Sequence, residues 1–174
     1  MTTTSSTSNT NEQPLSHAEG LRRIIEERSK VRPGSVNNRM APEFVSCSED
    51  GKTCITRYLL KPEMSNPMGW LHGGVTSAMI DMGMGALAYY HKQAICPTST
   101  MTVNFLRPNR IGGYMVVKSH VDFLGTKIVH LSAQTWMEDN PEQLTATATG
   151  SYSVIGGGHG DKSESLSDKI GRLH

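Results

Sequence analysis

The stretch Asn66-Pro67-Met68-Gly69-Trp70-Leu71-His72-Gly73-Gly74, continued by VTSAMIDMGMGALAYY at residues 75–90, decides how the rest of the chain is read. Beyond Gly74, the residues Val75, Ala78, Met79, Met82, Ala86, Tyr89 and Tyr90 fall on one face at 3.6-residue spacing, which predicts one long helix over about 74–90. Ile80, Met84 and Leu87 occupy the other side, and a helix apolar nearly all round is a buried helix. Asp81 interrupts it. A buried carboxylate is costly unless it is paired or hydrogen-bonded. At about 100° per residue Asp81 shares its flank with Gly74, Ser77, Gly85 and Ala88, all small, so another backbone or a slender ligand can approach it. A purely structural carboxylate, bonded to a neighbouring amide in a close-packed interior, explains that flank equally well.

The loop before the helix shifts the balance. The first amides of a helix have no intrahelical partners and carry the positive end of its dipole. Gly73 and Gly74 expose those amides to whatever lies above them, the arrangement that holds a carbonyl oxygen as it gains charge in acyl transfer. Asn66 and His72 are then candidates for orienting a water or the carbonyl. Each has a plain alternative: His72 as a helix cap, Asn66 as ordinary turn chemistry before Pro67, and the glycines as a tight bend. Their joint spacing is the evidence.

Working outward, Ser16 to Arg28 is helical, with Leu21, Ile24 and Ile25 near helical spacing and Ser16 an N-cap beside Glu19. Phe44–Ser48 and Thr53–Leu60 read as strands joined by a turn at Glu49-Asp50-Gly51. Four more strands follow the long helix, at about Thr98–Leu106, Tyr114–Phe123, Lys127–Glu138 and Gln143–Val154. Turns separate them at Pro108–Gly113, Gly125-Thr126 and Asp139-Asn140-Pro141. The class is α+β, one antiparallel sheet of about six strands with the long helix against one face. Residues 1–14 and 157–174, rich in Ser, Thr, Gly and charge, read as flexible tails around a single domain at 15–156.

Composition removes several functions. Lys and Arg total 17 against 16 for Asp and Glu, and Arg22, Arg23 and Arg28 share their helix with Glu26 and Glu27, a mixed solvated face. Nucleic acid is not an expected partner. Cys47, Cys54 and Cys96 contain no CxxC pair, and three free thiols in a reducing compartment are the simplest account. No histidine cluster has metal-ligand spacing, so no metal is expected. No apolar run approaches the roughly 20 residues of a membrane span. A cytoplasmic location is expected, with a mitochondrial one left open.

The spacing Asn66-x-x-Gly69-x-x-His72-Gly73-Gly74, with Asp81 nine residues after the histidine, resembles the HGG signature of hotdog-fold acyl-CoA thioesterases. The branch is that of the phenylacetate-pathway thioesterases and the mammalian thioesterase-superfamily proteins. The resemblance runs from about Phe44 to Ile155 and includes Asn104-Phe105-Leu106-Arg107-Pro108 and the Gly125-x-Lys127 turn. It implies a curved antiparallel sheet wrapped around the long helix, and a homodimer, commonly a dimer of dimers, with two active sites at each dimer interface. It implies that Asp81 of one subunit faces the Asn66 and His72-Gly73 region of the other, as general base or as nucleophile. The Gly73 amide would hold the oxyanion. A Ser or Thr at the start of the following strand would orient water: counting back from Pro108 gives Thr98, counting forward from Asp81 gives Ser99. Coenzyme A, as part of the substrate, would lie along Gly74, Phe105 and the turn Phe123, Leu124, Gly125, Thr126, Lys127 and Ile128. Lys127 and Arg107, with Arg110, are the phosphate candidates, and surface solvation is their alternative reading.

Rival readings are a hydratase or dehydratase of acyl thioesters, a non-catalytic acyl-CoA binder or regulator, and a pure interaction subunit. No second acid/base pair at a recognisable spacing supports the first, and Asp81 speaks against the second. Met79, Met82 and Met84 are expected to fill core rather than to line an adaptable acyl pocket. Trp70, Tyr89 and Tyr90 hint at an aromatic wall without deciding between aryl and fatty acyl groups.

Overall fold

The computed structural model describes residues 15–155. Both tails, with the Gly156–Gly160 stretch, lie outside them. α1 (His17–Lys30) begins with a capping box in which Ser16 accepts from the Glu19 amide and the Glu19 carboxylate accepts from the Ser16 amide. A short helix α2 (Val36–Met40) follows, capped by Ser35, and was not foreseen. β1 (Glu43–Cys47) and β2 (Thr53–Leu59) form a hairpin, and the long helix α3 spans Gly73–Lys92. β3 (Thr98–Phe105), β4 (Tyr114–Leu124), β5 (Ile128–Met137) and β6 (Asn140–Ser153) complete the chain.

The six strands form one antiparallel sheet in the order β1-β2-β4-β5-β6-β3. Four of the five pairings carry a register shift. Such bulges bend and twist a sheet, which lets this one curve around α3. One bulge corrects the sequence reading. The β5–β6 turn is only Glu138-Asp139, and Asn140 and Pro141 belong to β6. The shift between Trp136 and Met137 accommodates Pro141, which has no amide to give to the ladder.

α3 is the core. Met79, Ile80, Met84 and Leu87 are wholly buried and Met82 nearly so, so the methionines fill interior. Leu21 and Ile25 of α1 pack into the same cluster. Cys47 and Cys54 are register partners across the β1–β2 hairpin, and both are free thiols. Burial pushes the Cys54 thiol up to about 12. No helix among the described residues is long and apolar enough to cross a membrane.

His91, in the last turn of α3, sits 3.0 Å from the Gly51 carbonyl through its Nε2. Burial holds its pKa below the ordinary 6.5, against the opposing pull of that hydrogen bond. The unfolded chain therefore binds the proton first as pH falls. The stability from neutral His91 is fully present above about pH 6.5 and is lost as pH drops through the folded-state value. Melting temperature is expected to fall with pH in that window, and His91→Gln should flatten the fall.

Candidate active site

α3 carries the site at two separate heights. At its N-terminus His72 is the cap residue, and its Nδ1 accepts from the Gly74 amide at 2.9 Å. The plain alternative for His72 thus describes what its ring does within this chain. The His72 carbonyl accepts from the amides of Val75 and Thr76. The Gly73 amide has no hydrogen-bond partner among the described residues, so it is the unclaimed donor at the positive end of a 20-residue helix. The Phe105 ring lies over it: a Cβ added at Gly73 would stand 3.3 Å from Phe105 Cζ.

Asn66 holds the preceding loop. Its Oδ1 accepts from the amides of Met68 (2.9 Å) and Trp70 (3.2 Å), and its own amide donates to the Trp70 carbonyl. The loop needs Gly69, whose φ of +81° suits glycine. Asn66 in this chain is a scaffold for the loop that carries His72 and Gly73.

Asp81 lies two and a half turns further along, about 13 Å at 1.5 Å per residue. Its Oδ1 accepts from Thr98 Oγ1 at 2.6 Å and from the Tyr152 hydroxyl at 2.9 Å. Thr98, rather than Ser99, therefore reaches the carboxylate; Ser99 Oγ pairs with Ser153 Oγ at 2.6 Å instead. Burial, reinforced by the Asp81 charge, drives the Tyr152 phenol far above its usual range, so it remains a hydrogen-bond donor. Tyr152 was missed in the sequence, where it is one more residue in an alternating strand. Tyr152→Phe removes one charge-assisted bond and is expected to lower kcat about 10-fold with little change in KM. Steady-state kinetics on a thioester will measure both.

A cavity of about 240 Å³ opens beside the carboxylate, lined among others by Asp81, Gly85, Thr98 and Tyr152. Arg28 of α1 enters it too, and this corrects the expectation of a solvated face. Arg23 does lie on the surface, paired with Glu27 at 2.7 Å, and Arg22 stacks over Phe44. Arg28 turns inward, its Nη2 3.5 Å from where a Gly85 Cβ would be. Burial lowers its pKa, and the Asp81 charge partly opposes that. The small flank of Asp81 thus admits side chains of α1 and β6 as well as open space.

Within one chain, neither Asn66, His72 nor Gly73 lines the Asp81 cavity. The other sequence candidates are placed at the surface. Phe105, Phe123 and Leu124 are exposed, and Phe123 lies beside His130. Gly125 closes the β4–β5 turn by donating to the Ile128 carbonyl, and a side chain there would strike Phe123 and that oxygen. Thr126 and Lys127 are exposed on this turn. Arg107 donates to the Leu144 carbonyl at 2.8 Å, and Arg110 pairs with Asp139.

The sequence profile of the thioesterase superfamily matches residues 68–143, which include the His72–Gly74 turn, α3 and Asp81. The chain has the hotdog fold, and this stretch of it is similar to the thioesterase superfamily. Among solved hotdog structures, zebra fish thioesterase superfamily member 2 superposes with a TM-score of 0.68 at 18% identity, over 79% of this chain and 98% of the other. The Escherichia coli PaaI protein from the phenylacetic acid degradation operon gives 0.66 at 16% identity, over 79% and 97%. A Streptococcus mutans protein solved with bound acetyl CoA gives 0.60 at 18% identity, over 67% and 90%. A Pseudomonas aeruginosa protein provisionally named an esterase is 26% identical over 109 residues, 61% of this chain and 79% of its own.

Proposed function

We propose that this protein hydrolyses acyl-CoA thioesters at a site shared by two subunits. The observation that carries the reading is Asp81, a carboxylate inside an otherwise apolar helix, held through one oxygen by Thr98 and Tyr152 and facing an open cavity. Its Oδ2 makes no hydrogen bond among the described residues, which leaves it to take a proton from water or to attack carbon. As general base, Asp81 takes the proton while the oxygen of water bonds to the thioester carbon. As nucleophile it forms an acyl anhydride that water then opens. In either case the carbonyl oxygen gains the negative charge, the Gly73 amide receives it, and collapse breaks the carbon–sulfur bond. A thiolate leaves readily, so no strong acid is needed.

The roughly 12 Å between Gly73 and Asp81 along one helix is too far for both to act on one carbonyl, so the second half must come from another copy. β3 supports this. Among the described residues it pairs only with β6, and six of its eight residues are exposed, an open edge that sheet proteins normally protect or pair. Joining two sheets at β3 would continue both and bring exposed Phe105 into the interface. A dimer of dimers, and coenzyme A running along Phe105 and the Phe123–Ile128 turn with Lys127 or Arg107 at its phosphates, belong to the same proposal. The CoA-bound hotdog relative supports the choice of ligand.

A panel of aryl, short, medium and long acyl-CoAs, followed by release of free thiol, tests the activity. Hydrolysis of at least one class is the expected result. Tight binding without hydrolysis of any of them would favour a non-catalytic acyl-CoA regulator instead.

A further inference from the structure

Arg28 has no part in the chemistry just described, yet it occupies the same cavity as Asp81. Among the described residues its guanidinium makes no hydrogen bond and no ion pair within 4.0 Å, and it is not paired with Asp81. A cation in a cavity that Ile95, Pro97 and Tyr152 also line is costly unless an anion meets it. The helix that delivers it is fixed: Leu21, Ile24 and Ile25 are buried, and the capping box pins its start. The backbone that delivers the guanidinium to this cavity is therefore fixed. It lies over Gly85, one turn beyond Asp81, which is about 6 Å along the helix at 1.5 Å per residue.

Resting on the thioesterase reading, we propose that this pocket selects short acyl thioesters whose acyl chain ends in a carboxylate, and that Arg28 receives that carboxylate. The thioester carbon lies at the level of Asp81 and the distal carboxylate one turn away against Arg28. The cavity of about 240 Å³ falls below the roughly 300–1,000 Å³ of drug-sized ligand pockets, which suits a short chain. Planar guanidinium binds carboxylate through two parallel hydrogen bonds, so it rewards this group over a methyl end. A neutral acyl chain of the same length would instead leave the half-buried cation with only the more distant Asp81 charge to offset its desolvation.

The test compares succinyl-CoA with butyryl-CoA, equal in carbon number and different in the terminal carboxylate, each corrected for its uncatalysed rate. The ratio of kcat/KM for the two is expected to favour succinyl-CoA by about 10- to 100-fold in the wild type, the worth of a charge-assisted hydrogen bond, and to collapse in Arg28→Met. Arg28→Lys, which keeps the charge without the fork, should retain part of the preference and covers the case in which Arg28→Met fails to fold. A wild-type preference for butyryl-CoA, or an equal loss on both substrates in the variants, would overturn the proposal and leave Arg28 a structural or Asp81-positioning residue. Calorimetric binding of both thioesters separates this from the activity itself. Tighter, Arg28-dependent binding of succinyl-CoA without turnover of either would retain the pocket assignment and discard the hydrolase, whereas equal binding would discard the assignment.

Discussion

Asp81→Asn is expected to lower kcat for acyl-CoA hydrolysis by roughly 10³-fold, within the roughly 10²–10⁴ that a positioned base contributes. The amide keeps the shape of the carboxylate and can still accept from Thr98 and Tyr152, which hold Oδ1 at 2.6 and 2.9 Å. It cannot take a proton from water or form an anhydride. Circular dichroism and melting temperature should stay close to wild type, since burying the neutral amide costs less than burying the carboxylate. Hydrolysis at near wild-type rate by a folded Asp81→Asn protein would remove Asp81 from the chemistry.

The second large effect is at the oxyanion. Gly73→Pro deletes the one amide at the start of α3 that no described residue accepts from. Proline is well tolerated at this first helical position, where its missing N–H was an orphan in any case. His72 before it has φ −65° and ψ 133°, the extended conformation that a residue preceding proline prefers. The ring must displace exposed Phe105 slightly, at an added Cβ contact of 3.3 Å. The helix should form, while kcat falls by about 10²–10³-fold, the usual cost of one oxyanion donor. Gly73→Ala makes the same steric demand and keeps the amide, so most of its activity should survive. Equal losses in the two variants would show that packing on Phe105 matters, rather than the amide.

The buried helix was legible because its composition leaves no solvated face, and the hairpins because alternation and turn residues agree. Pro141 misled, because a bulge admits into β6 a residue that usually ends a strand. α2 is five residues held by the Ser35 cap and offers no periodicity to read. At the proposed site, Asp81 and Gly73 stood out through their spacing along the chain, and Thr98 only as one of two alternatives with Ser99. Tyr152 was not, since it meets Asp81 from 71 residues away through the curvature of the sheet. Arg28 did leave a trace. It stands three residues after Ile25 and seven after Leu21, on the buried stripe of α1, where a solvated arginine does not belong. Counting charges on the whole helix concealed that position.

Subunit complementation measures the central claim most directly. Asp81→Asn and Gly73→Pro chains carrying different tags are co-expressed, and the mixed dimer is purified by both tags in sequence. In a two-fold dimer with shared sites, one site combines both defects and the other combines an intact Asp81 with an intact Gly73, so about half the wild-type rate per dimer should return. A mixed dimer as inactive as its two parents would show that each site lies within one chain, and the shared-site account would be wrong.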